Sequence, residues 1–241
     1  MTTTFDRSGA SPALIDVWSW SLNRSPSGIP DPAALLSPDE RARATRFART
    51  RDAERYIVGR STLRIVLATY LDRHPEELVF AYNEFGKPCL AEEDGSDLHF
   101  NLSHSEDIAV LAVSDRFPLG IDIEAEKPIA EDVAGHFFSP NECIRLRSLP
   151  LQQQQPAFYR CWTRKEAFVK AHGAGLSLAL NCFDVPLVGT EGLRIERLDD
   201  TVGLAGDWSL LDLRVPRGFF GAVAAMTEGA SVALRYCPGN P

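Results

Sequence analysis

The sequence predicts an α+β fold built from two similar α/β subdomains in a pseudo-two-fold arrangement, residues 12–117 and 118–241, with a site in the cleft between them. Three observations carry this. Each half places one major helix ahead of several β-type runs, an order expected of two related units packed together. The connection Asp115-Arg116-Phe117-Pro118 is too brief to act as a swinging linker, so a pocket is expected at the boundary. Finally, 241 residues with 44% apolar and 24% charged content are enough to bury a substantial core.

Taken in order, Asp16 to Leu22 alternates like a strand and leads into a Ser/Pro/Gly loop from Ser25 to Pro32. Ser37-Pro38-Asp39-Glu40 reads as a helix start, with Ser37 as cap and Pro38 at the first helical position. A longer helix is expected over Asp52–Leu71, then strands at Leu78–Tyr82, Leu98–Leu102 and Ile108–Val113. The second half opens on the strand Gly120-Ile121-Asp122-Ile123-Glu124 and passes through a short helix near Pro140–Leu146. It then reaches a helix over Phe158–His172. There Phe158, Cys161, Trp162, Phe168 and Val169 keep helical spacing, and Gly173 supplies the stop. Strands near Cys182–Val188, Leu193–Leu198, Trp208–Val215 and Phe219–Met226 complete the second half.

Composition removes several classes of function. A net charge of −8 argues against general nucleic-acid binding, which needs a basic face. The opening Met1–Ser11 has neither the basic flank nor the apolar stretch of a secretory signal, and no run is long enough to cross a bilayer. A cytoplasmic protein without membrane contact is expected. Five scattered cysteines without a Cys-x-x-Cys pair suit free thiols and make a zinc site unexpected.

Charge is nevertheless uneven. Between Ser37 and Arg64 stand eight arginines against four acids. Arg51 with Arg55, and Arg60 with Arg64, follow helical spacing, so one or two of the eight are expected to hold a compact anion such as a phosphate. Most of the others are expected to be solvated helix pairs. Only four of the 25 basic residues are lysines (Lys87, Lys127, Lys165, Lys170), which suggests sites preferring a compact point charge.

The residues with chemistry to offer fall into four motifs. In the strand, Asp122 and Glu124 share one face while Ile121 and Ile123 share the other. Magnesium takes one or two carboxylates and keeps water and substrate phosphates elsewhere, so this pair, with Glu166 on the later helix, reads as a magnesium site for pyrophosphate chemistry. On that helix Trp162, Glu166 and Lys170 lie at i, i+4 and i+8 and share a stripe. Alone, the strand would be an ordinary solvated edge, and Glu166 with Lys170 a surface pair worth roughly 0.2–0.5 kcal/mol. In Asn83-Glu84-Phe85-Gly86-Lys87-Pro88, Gly86 lets backbone approach a ligand and Lys87 is expected to project. Phe100-Asn101-Leu102-Ser103-His104-Ser105 is expected to be a strand entering a polar loop able to hold phosphate oxygens.

Together these motifs resemble the 4'-phosphopantetheinyl transferase superfamily, in its monomeric, double-length class that activates surfactin synthetase and related assembly lines. The resemblance is carried by Gly86–Pro88, Asn101–Ser105, Gly120–Glu124, Phe137–Glu142 and Trp162–Lys170 in that order, with Leu36–Phe47 and Asp52–Arg55, and runs from about Leu35 to Leu176. It implies transfer of 4'-phosphopantetheine from coenzyme A to a serine of an apo acyl or peptidyl carrier protein, releasing adenosine 3',5'-bisphosphate. Magnesium, with manganese as a substitute, would be held by Asp122, Glu124 and Glu166. Glu166, directly or through a metal-bound water, is the candidate base, with Glu142 in reserve, and Lys170 would supply the counter-charge to the leaving group or steady the transferred phosphate. The resemblance places Arg43, Arg55 and His104 at the 3'-phosphate, Lys87 and the backbone of Gly86–Pro88 along the adenine and phosphates, and Ser103 near the phosphates. Glu40 stands where some relatives carry lysine, which moves that phosphate contact to Arg41, Arg43 or a neighbour. A magnesium-dependent phosphohydrolase, and a non-catalytic coenzyme A-binding protein, are rivals sharing part of this residue set; carrier modification separates them from a transferase.

Overall fold

The computed structural model describes residues 11–91, 97–129 and 133–238; the signal-peptide reading of Met1–Ser11 thus falls, but for Ser11, outside the described residues. The fold is mixed α+β. Strand β1 (Ala13–Ser21) is central in a four-stranded sheet. On one side it pairs antiparallel with Ile108–Ser114, which in turn pairs antiparallel with His99–Ser105. On the other side it pairs parallel with Val232–Tyr236. In chain order the strands are β2 (Phe80–Tyr82), β3 (Pro88–Leu90), β4 (His99–Ser105), β5 (Ile108–Ser114), β6 (Leu119–Ala125), β7 (Phe183–Asp184), β8 (Arg197–Leu198), β9 (Trp208–Asp212), β10 (Phe219–Met226) and β11 (Val232–Tyr236). β6, β10 and β9 form a second, antiparallel sheet.

Alternation along β1 explains the layering. Ile15 and Val17 turn to a core shared with Ile121 and Ile123 of β6 and Val223 of β10. Trp20 turns the other way, to a core with Val58, Leu63 and Leu67 of α2 (Thr50–Leu71). The second sheet likewise presents Ala222 and Ala224 to Phe168 and Cys161 of α5 (Leu151–His172). The order is therefore helix, sheet, sheet, helix.

The two short helices that precede α2 and α5 begin alike. α1 (Pro38–Ala44) starts on Ser37-Pro38-Asp39-Glu40 and α4 (Pro140–Ser148) on Ser139-Pro140-Asn141-Glu142, each with a capping box; α3 (Val133–Phe137) is a single short turn. Glu40 is 2% exposed and accepts from both Arg60 and Arg64, whose Nη1 also donates to Leu78 O at 2.9 Å. Glu142 is fully buried, accepting from Val185 N at 2.9 Å and pairing with Lys165 at 2.8 Å. Two expectations are corrected here. Arg60 and Arg64 are held on the buried carboxylate of Glu40, and Glu142 is fully buried with its oxygens occupied by Ser139 N, Val185 N and Lys165.

Other departures have local causes. α5 starts at Leu151, seven residues before Phe158; its first turns are hidden in the sequence because Gln152–Gln155 are polar and show no apolar stripe, and Pro156 reads as a break. Of the strands expected over Cys182–Val188 and Leu193–Leu198, only two residues of each pair. β11 was not expected, because Val232–Tyr236 finds its partner more than 200 residues away in β1.

Candidate active site

The site begins where β4 meets β6. These strands belong to different sheets, and side chains of β4 supply the links: Asn101 Oδ1 accepts from Ile121 N at 2.9 Å and Ser105 Oγ accepts from Ala125 N at 3.0 Å. Between them Ser103 Oγ donates to Asp122 Oδ1 at 3.0 Å, and Ser105 Oγ donates to Glu124 Oε2 at 2.9 Å. Asn101, Ser103 and Ser105 thus use one face of an unbroken strand, and His104 projects from the other. The polar loop expected here is instead strand through Ser105; Ser103 is 7% exposed, and its hydroxyl donates to Asp122 and accepts from Lys170.

Helix α5 brings the remaining groups. It lies against β6 because Gly120 has no side chain: a β-carbon there would stand 2.3 Å from both Ala167 O and Ala171 N. Those two residues adjoin Glu166 and Lys170. Lys170 Nζ donates to Asp122 Oδ1 at 2.6 Å and to Ser103 Oγ at 3.0 Å. Burial raises the Asp122 carboxyl above the ordinary carboxylate range, opposed by Lys170 and Ser103. Glu166 is also raised, by burial and then by the charge of Asp122, with Glu124 adding to it; Glu124 is raised by burial and by Asp122. The three carboxylates therefore feel one another.

Asp122 Oδ2 is buried without a hydrogen-bond partner. An orphaned anionic oxygen beside two carboxylates that resist ionising together is the donor chemistry a hard divalent cation relieves. These residues fit such an ion, although among the described residues no three histidine, cysteine, aspartate or glutamate side chains stand close enough to form a ready metal cluster.

Two adjoining cavities surround the groups. One of about 640 Å³ is lined by Glu166 and Lys170 with Phe85, Phe137, Trp162 and Leu178. The other, about 530 Å³, is lined by Arg43, Arg55, Tyr56 and His104. Gly86 and Pro88 border both. In the second cavity Arg43 lies over the Tyr56 ring at 5.6 Å, and Arg55 Nη1 donates to Glu106 O at 2.8 Å. His104 is lowered by burial and by the charges of Lys170 and Arg55. Arg41 turns away, donating to Leu36 O. Lys87 does not project as expected: its Nζ donates to Leu119 O at 2.9 Å and Lys170 O at 2.7 Å, and burial lowers it to about 8.

Comparison with known sequences agrees with this geometry. A model of the 4'-phosphopantetheinyl transferase superfamily matches residues 118–212, and one described as 4'-phosphopantetheinyl transferase, N-terminal, matches residues 23–116. The chain belongs to the 4'-phosphopantetheinyl transferase superfamily. It is 39% identical over 218 residues to the 4'-phosphopantetheinyl transferase HetI of Nostoc sp., covering 89% of each chain. It is 38% identical over 154 residues to the 4'-phosphopantetheinyl transferase Sfp of Bacillus subtilis, covering 64% of this chain and 67% of that one. A phosphopantetheinyl transferase of Thraustochytrium sp. is 30% identical over 206 residues, covering 78% and 71%.

This transferase also uses residues that sequence reasoning passed over. Gly120 was seen only as part of the Asp-Ile-Glu strand, yet it sets the distance between that strand and α5. Ser105, at the end of the expected strand, holds Glu124. The signal for Ser105 was present: with Asn101 and Ser103 it forms a polar period of two on an otherwise buried strand. No described helix is long and apolar enough to cross a membrane.

Proposed function

We propose that the enzyme moves the 4'-phosphopantetheine arm of coenzyme A onto a serine hydroxyl of an apo acyl or peptidyl carrier protein, releasing adenosine 3',5'-bisphosphate, with magnesium as the required ion. The observation that supports this best is the adjacency of a cavity carrying Arg43, Arg55, Arg60 and His104 beside Asp52 and Glu106 to a largely apolar one carrying Glu166 and Lys170. Coenzyme A has an anionic nucleotide end and an uncharged arm, and the two compartments suit those two ends. Arg43, Arg55 and His104 would take the 3'-phosphate. The main chain at Gly86–Pro88 would run along the adenine, where absence of a side chain at Gly86 permits close approach.

Asp122, Glu124 and Glu166 would hold the ion, whose chemistry is to neutralise the pyrophosphate as its bond breaks. Glu166 takes the serine proton, directly or through a water held at the ion. The serine oxygen then bonds to the phosphorus next to the arm, while the bond from that phosphorus to the bridging oxygen breaks and its electron pair leaves with the bisphosphate. Lys170 supplies the ammonium that meets this leaving charge. Phe137, Trp162, Val169 and Leu178 give the same cavity an apolar wall suited to the uncharged arm.

We also propose that residues 12–117 and 118–241 are two units related by a pseudo-two-fold and acting within a monomer. Support comes from the matched starts at Ser37 and Ser139, each followed by a long helix whose buried cation binds the capping glutamate. The return of β11 to β1 ties the second unit's end into the first unit's sheet. The transfer itself is tested by mixing protein, coenzyme A, magnesium and an apo carrier and weighing the carrier intact. One added phosphopantetheine, absent with chelator, is expected; an unchanged mass with every one of several carriers would overturn the proposal.

A further inference from the structure

The turn Asn83–Pro88 is built as a tie between the two halves. Asn83 Oδ1 accepts from Phe85 N at 3.0 Å and Lys87 N at 2.8 Å, which fixes the turn internally. Its Nδ2 then reaches across to Gly173 O at 3.1 Å, the residue that ends α5. Lys87 Nζ reaches the same helix end at Lys170 O and the start of β6 at Leu119 O. Phe85 packs on Gly175, where a β-carbon would lie 2.8 Å from Phe85 Cβ and where φ is +53°. Asn83 and Lys87 therefore grip the end of α5 by an amide and an ammonium, and Phe85 packs on the turn that follows it.

The grip has a physical logic. The last carbonyls of a helix lack intrahelical partners and carry partial negative charge, which favours a cation and donors there. A compact ammonium fits between two carbonyls from different elements, with its remaining N–H free to rotate. Lysine here, in a chain where only four of 25 basic residues are lysines, is explained by that fit. The turn also borders both cavities, through Gly86 and Pro88.

We propose that this turn is a clasp, and that Lys87 and Asn83 are positioning residues that hold the end of α5, and with it Lys170, in register with the coenzyme compartment. Lys87 acts through the peptide of Lys170 and is not a phosphate ligand. The inference rests on the transfer reaction proposed above for its kinetic consequences, and on hydrogen exchange for a consequence independent of it.

The test compares Lys87→Met, Asn83→Ala and Gly175→Ala with the wild-type protein. In all three, kcat for carrier modification is expected to fall about tenfold or more, and any loss of coenzyme A affinity is expected to be similar in the three variants rather than confined to Lys87→Met. Amide exchange is expected to quicken together in residues 83–88 and 169–173, whether or not the carrier chosen is a substrate. If Lys87 is instead a phosphate ligand, Lys87→Met loses coenzyme affinity by more than tenfold while Asn83→Ala and Gly175→Ala behave as wild type; that overturns the clasp. Exchange that quickens in the turn but not at the end of α5 overturns it equally. Should Lys87→Met fail to fold, Asn83→Ala and Gly175→Ala decide. An inactive wild type would count against the transfer reaction, and the exchange data would then judge the clasp alone.

Discussion

Replacing Gly120 by alanine tests whether the approach of α5 to β6 sets the geometry of the site. The new β-carbon would stand 2.3 Å from Ala167 O and Ala171 N, against an ordinary contact of 3.4–4 Å. Both atoms are helix backbone and have no flexible end to yield, so α5 must retreat by about 1 Å. Overpacking of this kind costs roughly 1–3 kcal/mol, and rigid neighbours place it near the upper end. For a chain of this size that is a fall in melting temperature of roughly 6–12 °C. The displaced residues adjoin Glu166 and Lys170, and a misplacement of about 1 Å costs on the order of 100-fold in rate. Thermal unfolding and the time course of carrier mass read the two effects separately. Wild-type melting together with wild-type kcat in Gly120→Ala would refute the close-approach reasoning.

Further outcomes follow from individual contacts. Lys165→Met removes the partner of fully buried Glu142 and two carbonyl bonds, so denaturant unfolding should show a loss of about 3–5 kcal/mol; an unchanged midpoint would contradict the pairing. Burial pushes the Glu40 carboxyl up, but hydrogen bonds from Arg64 and Arg60 outweigh it and hold it below its ordinary 4.5. Its contribution to stability is thus complete above about pH 4.5 and lost as the pH falls through the lower folded value. Acid titration of stability should accordingly be shallower in Glu40→Gln than in the wild type, and an identical slope would remove that role. Arg55→Ala should weaken coenzyme A more than 3'-dephospho-coenzyme A in calorimetry; equal losses would take Arg55 away from the 3'-phosphate.

Much of this arrangement was legible because it is local. The alternation of Ile121, Asp122, Ile123 and Glu124 fixes which side chains share a face, and the spacing of Trp162, Glu166 and Lys170 does the same on α5. Gly173, expected as a stop, is the left-handed cap of α5 at φ +83°. What stayed hidden depends on partners far along the chain. Nothing near Lys87 says that its ammonium meets Lys170 O, 83 residues on. Arg60 and Arg64 have the spacing of a phosphate-binding pair, and only the burial of Glu40 turns them inward. The Ser-Pro-Asp-Glu and Ser-Pro-Asn-Glu starts were both visible, but their equivalence emerges once Arg64 and Lys165 are seen bound to the glutamates. β11 is a short apolar run whose place is decided by the open edge of β1.

The central claim is that Asp122, Glu124 and Glu166 serve one divalent cation. It is tested most directly by titrating manganese into the protein with coenzyme A present and following free manganese by electron paramagnetic resonance, for the wild type and for Asp122→Asn, Glu124→Gln and Glu166→Gln. One site in the wild type, weakened at least about tenfold in each variant, is the expected result. Wild-type affinity in any one of the three would detach that carboxylate from the ion and contradict a shared site.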